Sequence, residues 1–173
     1  FVTGGGKERI HAPTPFFLIQ HQGKNILFDT GNPTSCIGKN VNEAAGEAGI
    51  VLTEAEYAPN ALRALGVAPE EIDIIIMSHL HIDHIGALKE FPKATVVVRK
   101  TEFEYASRPD TFMQHLYTLM PSMSEVDWYL TDGSEPFDVC GDGRLVTIFT
   151  PGHTPGHQSL LVKTDQNGVM MLA

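Results

Sequence analysis

The chain has 173 residues, 42% of them hydrophobic, which suits a globular unit with its own core and sets the expectation of one domain over residues 1–173. Its 21 acidic residues outnumber 12 basic ones, giving a formal charge of −9, and no Lys/Arg cluster offers a phosphate footprint, so a nucleic-acid partner is excluded and a small or apolar substrate expected. Two cysteines, Cys36 and Cys140, cannot build a disulfide framework, so a reducing cytoplasm is the expected compartment, and no apolar run reaches the ~20 residues that would span a bilayer.

In chain order, Phe16–Ile19 and Asn25–Phe28 are short β-type runs around a turn that contains Gly23, which predicts an antiparallel hairpin ending at Asp29-Thr30-Gly31. Residues 32–50 are small and polar with no sustained period, and are expected to form a long surface loop of the kind that serves as a lid. Thr53 and Glu56 have capping-box spacing, so a helix is expected up to Leu65, where Gly66 stops it. The near-continuous apolar run Ile72–Met77 predicts a strand buried on both faces.

A further helix is expected to start within His84–Glu90, and Thr95–Arg99 is a β-branched strand. Thr101 and Glu104 repeat the capping-box spacing. Asp110–Ser124 spaces Phe112, Met113, Leu116, Leu119 and Met120 as one helical face would, and Phe16, Phe17, Phe112 and Met113 are expected in the core. Trp128–Leu130, Leu145–Phe149, Ser159–Val162 and Val169–Leu172 are short strands between Gly and Asp turns. Strands and helices therefore alternate in the manner of an α/β protein. The first residue is not Met and the last segment is apolar, so both ends look cut.

The most informative run is Ser78-His79-Leu80-His81-Ile82-Asp83-His84, which puts three imidazoles and a carboxylate directly after a buried strand. Imidazole nitrogen and carboxylate oxygen suit zinc and its borderline neighbours, and a loop leaving a strand tip can aim several side chains at one point. Thr150-Pro151-Gly152-His153-Thr154-Pro155-Gly156-His157 repeats the arrangement after a second strand, in a loop stiffened by Pro and Gly. His153, nearest the strand, is the candidate ligand there, and His157 a structural donor. His11, His21 and His115 have no partner at ligand spacing and are left with hydrogen-bonding roles.

Through Phe28-Asp29-Thr30-Gly31, the H-x-H-x-D-H run and the Thr-Pro-Gly-His loop, in that order, residues 12 to 173 resemble the metallo-β-lactamase superfamily. Within it, Ser78–Gly86, Arg99–Glu104 and Thr150–Leu161 look most like the N-acyl-homoserine lactonases that quench quorum signals. The resemblance implies an αββα sandwich with two divalent metal ions, Zn2+ first and Mn, Co or Fe as substitutes. His79, His81 and His153 would hold the first ion, Asp83 and His84 the second, and Asp29 and His157 would orient them. It also implies a hydrolase in which a hydroxide shared by the metals opens a lactone ring, with Asp83 as proton donor, acting on a small lactone or ester and needing no nucleic acid or membrane. A homodimer stays open as its assembly.

The chain also departs from that pattern. The family's bridging aspartate and last histidine are absent from these 173 residues, which reads as a fragment. Other hydrolases of the superfamily would share the same ligands, among them thioesterases of the glyoxalase II kind, phosphotriesterases and β-lactamases. A non-catalytic metal-binding or redox module is the rival of a different class. An oxygen-reducing di-iron relative would carry an acidic ligand where Leu80 stands, which favours hydrolysis.

Overall fold

The computed structural model describes residues 12–39, 50–122 and 124–173. Two sheets form its framework. A five-stranded mixed sheet has the order β1 (Phe17–His21), β2 (Lys24–Phe28), β3 (Ile72–Ile76), β4 (Thr95–Arg99), β5 (Asp127–Thr131). The pair β1–β2 is antiparallel and the others are parallel, so the carboxyl ends of β2, β3, β4 and β5 share one edge. The second sheet is an antiparallel meander of β6 (Phe137–Asp138), β7 (Leu145–Phe149), β8 (Gln158–Thr164) and β9 (Gly168–Leu172).

The β1–β2 hairpin closes on Gln22 and Gly23, both at positive φ (50° and 73°), the twist that a two-residue hairpin turn needs. On the central strands, neighbouring residues serve opposite faces, as the period of two dictates. Leu27, Ile75, Met77, Val96 and Val98 face a helical layer, whereas Ile26, Phe28, Ile76 and Val97 meet Leu145 and Leu160 of the second sheet. Each fully buried aliphatic of this kind contributes about 1.5–3 kcal/mol, and the double burial explains the apolar run of β3, broken only by the exposed Asp73 near its start.

Two helices cover the first of these faces. Helix α1 (Ala58–Ala64) opens with Pro59 in its first turn and ends on Gly66 at φ 81°, whose N–H bonds the Arg63 carbonyl at 3.0 Å while that of Val67 bonds Leu62 at 3.0 Å. The Thr53–Glu56 capping bonds form, with Thr53 N to Glu56 Oε2 at 2.9 Å, but they close the turn before α1 rather than the helix itself. Helix α2 (Lys100–Ser107) follows β4 without a loop, and its N-cap is Arg99, with no side-chain cap bond, so Thr101 and Glu104 do not form the expected box.

Two expected helices are replaced by single 3-10 turns. Within 84–90 the helical element is the 3-10 turn Leu88–Glu90, because the backbone of 84–86 bonds to another segment: Thr30 N to His84 O and Gly86 N to Gly31 O, both 2.8 Å. Gly86 lies so close to Asn32 and Pro33 that an added Cβ would collide with their backbone. Among the described residues of 110–124 the helical element is the 3-10 turn Gln114–Leu116, since the Leu116 carbonyl accepts the Ile82 N–H at 2.8 Å. Met113, Leu116 and Met120 pack on the core, as does Phe16, but Phe112 is 83% exposed and Phe17, on the edge strand, 37%, so neither is a core residue. β6, two residues long, is too short to leave a pattern in the sequence. Of the expected lid, residues 40–49 lie outside the described ones; Thr34–Cys36 form a 3-10 turn, and Ile37 bridges to Leu52. Among the described residues no helix is long and apolar enough to cross a membrane.

Candidate metal centre

The tip of β3 and the tip of β7 meet at the shared edge of the two sheets. Ser78 O accepts the N–H of Gln158 at 2.9 Å, and the Gln158 side-chain amide donates to the Met77 carbonyl at 2.8 Å, so the two loops are bolted together where they leave their strands. Gln158 also accepts from the Arg99 guanidinium at 3.1 Å; Arg99 is 1% exposed and gives Nη1 to the carbonyls of Gly133 and Glu135 and Nη2 to the Thr147 hydroxyl.

That joint brings His79, His81 and His153 together, with one donor atom from each within 4.8 Å of the others. Ring centroids lie 4.5 Å apart for His79 and His81, 4.8 Å for His79 and His153, and 4.9 Å for His81 and His153. His79 and His81 are buried, His153 exposed. The Nε2 atoms of His79 and His81 have no hydrogen-bond partner among the described residues, although buried polar atoms are almost always satisfied. Burial and the neighbouring imidazoles hold His79 far below the ordinary histidine pKa and bring His81 down to about 4. Both are neutral at pH 7. Buried, neutral, unpartnered imidazole nitrogens converging on one point are the donor set of a divalent cation, so these residues fit such an ion.

The groups around this triad fix its rings. Ser78 Oγ lies 2.9 Å from His79 Nδ1, leaving Nε2 to face the centre. Asp29, the residue after β2, has φ 61°, a left-handed conformation that aspartate tolerates, and one oxygen accepts the Ser78 N–H at 2.7 Å. Its other oxygen accepts the Ser78 hydroxyl at 2.7 Å and meets His84 Nδ1 at 2.8 Å. Burial works against a charge on His84, yet the bond to Asp29 and the Asp29 charge outweigh it and raise the His84 pKa.

Asp83 and His84 stand beside the triad rather than within it. Asp83 Oδ2 is 3.7 Å from His84 Nε2, and the His84 ring is 4.1 Å from that of His79. His157 sits behind His79 at 5.3 Å, with Nδ1 on Thr150 Oγ1 at 3.0 Å and its pKa lowered by burial. His115 is exposed and packs edge-on against Phe112; His21 pairs with Asp142 at 2.7 Å, remote from the centre; His11 lies outside the described residues.

Several organising residues gave no sequence signal of their role. Glu102, fully buried, accepts Leu80 N at 3.1 Å, Thr154 Oγ1 at 2.6 Å, Gly156 N at 3.1 Å and Tyr117 Oη at 3.4 Å. Burial pushes its carboxyl up while those donors pull it back. Gln158, Arg99 and Tyr117 were likewise unforeseen, because their partners are distant in sequence. A recess of about 420 Å3 lined by Lys24, Asp73, Thr95 and Tyr129 opens at the amino ends of the strands, away from the histidines.

Comparison with known proteins agrees with this geometry. A family model described as the metallo-beta-lactamase superfamily matches residues 12–170. An N-acyl homoserine lactonase AttM of Rhizobium radiobacter is 38% identical over 166 residues, covering 92% of this chain and 63% of that protein. The N-acyl homoserine lactonase AiiA of Bacillus thuringiensis subsp. kurstaki is 30% identical over 167 residues, with 94% and 63% coverage. The chain thus spans 63% of the length of these curated relatives. A solved N-acyl homoserine lactone hydrolase with the product N-hexanoyl-L-homoserine bound at its catalytic metal centre superposes with a TM-score of 0.74 at 30% identity, over 90% of this chain and 60% of that one.

Proposed function

The chain belongs to the metallo-β-lactamase superfamily, and from that premise we propose that it hydrolyses the lactone ring of N-acyl-homoserine lactones with metal-activated water. The observation that carries this reading is the pair of buried, unpartnered Nε2 atoms of His79 and His81 facing His153. Its substrate comes from the relatives, two of which are named as N-acyl homoserine lactonases. Residues 1–173 would act as part of a single domain.

His79, His81 and His153 would hold one cation, and Asp83 with His84 the second; zinc suits this imidazole and carboxylate set, and manganese, cobalt or iron are its substitutes. Bound divalent cations supply Lewis acidity and bring the pKa of water down to about 7. The protein's own groups do the rest. Ser78 and Asp29 lock the rings of His79 and His84 so that one nitrogen of each is free to face the centre, and His157 closes the site behind His79. When water adds to the lactone carbonyl carbon, the ring C–O bond breaks and the departing oxygen needs a proton. Asp83, with its side chain 30% exposed beside His84, would take the proton that the adding water loses and pass it to the departing oxygen.

The full-length protein loaded with zinc, manganese or cobalt is expected to release acid from N-acyl-homoserine lactones in a pH-stat. A matched panel of a thioester, a phosphotriester and a β-lactam separates the other hydrolases of the superfamily. Turnover of any of these in preference to the lactone would displace the lactone as the substrate.

A further inference from the structure

Glu102 touches none of the three histidines, yet its carboxylate reaches the surroundings of all of them. Oε1 accepts the N–H of Leu80, the residue between His79 and His81, at 3.1 Å. It also meets the hydroxyl of Tyr117 at 3.4 Å, and the Tyr117 ring packs edge-on against His81 at 4.9 Å. Oε2 accepts the Thr154 hydroxyl at 2.6 Å and the Gly156 N–H at 3.1 Å, on the segment directly after His153. The second loop rests so tightly on α2 that a Cβ on Gly156 would collide with the Glu102 backbone. Thus one oxygen serves the loop of β3 and the other serves the loop of β7.

We propose that Glu102 is a positioning residue that sets the coordination geometry of the His79–His81–His153 triad by clamping its two loops to helix α2. A carboxylate is the side chain for this task because it offers acceptors only, two oxygens with about four lone-pair directions, against four donors that come from two directions. The Thr154 hydroxyl bond, at 2.6 Å, is short, and the Leu80 and Gly156 N–H bonds, both 3.1 Å, tie the backbone of each loop to the same carboxyl group. Glutamine is nearly isosteric but presents an amide NH2 to one pair of donors, so it must release one loop or the other.

This rests on reading the three histidines as a metal site and not on the lactone substrate. The test therefore reads the metal directly, in the full-length protein, by titrating cobalt(II) against a competing chelator and recording its visible absorption. Glu102→Gln is expected to weaken cobalt binding by about 10–100-fold, the range found when groups that orient metal ligands are removed, and to change the visible band. Thr154→Val, which removes one donor from Oε2 alone, is expected to move both readouts in the same direction by less. Leu62→Ala, a cavity in the core under α1, is expected to lower thermal stability while leaving cobalt affinity and spectrum unchanged.

Circular dichroism of each metal-free variant reports whether it is folded. If Glu102→Gln does not fold, Thr154→Val decides. A folded Glu102→Gln or Thr154→Val with wild-type affinity and spectrum overturns the proposal. So does a Leu62→Ala variant that alters the band as they do, and so does a wild-type protein that takes up no cobalt. A wild-type protein that binds cobalt but opens no lactone overturns the substrate assignment alone.

Discussion

The two loops that build the centre are held in different ways. The loop after β3 carries two buried histidines and, beyond its single Leu80 N–H bond to Glu102, is fixed from within its own sheet, by Asp29 at the tip of the neighbouring strand and by the zipper between residues 30–31 and 84–86. The loop after β7 carries one exposed histidine and is fixed from outside, by Glu102 of α2 and by Gln158 at its exit. One half of the site is thus pre-organised by the sheet and the other is docked onto it, which lets an exposed His153 complete a site whose other nitrogens are already desolvated.

Removing a histidine from the buried half breaks this comparison most severely. His79→Ala is expected to reduce metal affinity by more than about 100-fold, beyond the range for groups that only orient ligands, as read by a chelator competition. Asp29→Asn comes next. It withdraws the charge that accepts from Ser78 and His84, so a 10–100-fold loss of affinity is expected, together with a fall in the His84 pKa followed by NMR. Equal affinity in Asp29→Asn and wild type would show that the first loop needs no support from β2.

The docked half is sharpened by Gly156→Ala. The new methyl must displace the Glu102 backbone, and a loss of about 1–3 kcal/mol in denaturant unfolding is expected. Acid distinguishes the halves more gently. In the metal-free protein His79, His81 and His157 titrate below the unfolded value of about 6.5, so the unfolded chain binds more protons as pH falls below that point. Stability is then present above about pH 6.5 and is lost progressively toward pH 4, the folded value for His81, in thermal melts across that window. His84, with a raised pKa, has the opposite sign: its contribution is complete below 6.5 and fades as pH rises through its folded value. Last, His21→Ala, at the far hairpin, is expected to leave metal affinity unchanged.

Much of the centre was legible because its chemistry is local. The spacing of His79, His81, Asp83 and His84 after an apolar strand needs no tertiary information, and neither does the Pro/Gly frame around His153. The β-strands were legible for the same reason, since double burial leaves a near-continuous apolar run in β3 and a β-branched one in β4. What was illegible depends on partners far along the chain. The 84–90 segment has no helix because its carbonyl and amide groups are claimed by residues 30 and 31, and 110–124 loses its helix when Ile82 takes the Leu116 carbonyl. Glu102 reads as one more acid in a helix until Leu80, Thr154 and Gly156 arrive from both sides.

The buried residues between the sheets are Ile26, Phe28, Ile76, Val97, Leu145 and Leu160, with Arg99 and Gln158 as polar pins. Every one of the six lies on a strand, so a change of volume there is expected to alter the distance between the β3 and β7 tips while leaving the histidines themselves in place. For directed evolution this makes Ile76 and Leu160 adjusting screws: a library at these two positions tunes the aperture of the centre, while one at the histidines can only dismantle it.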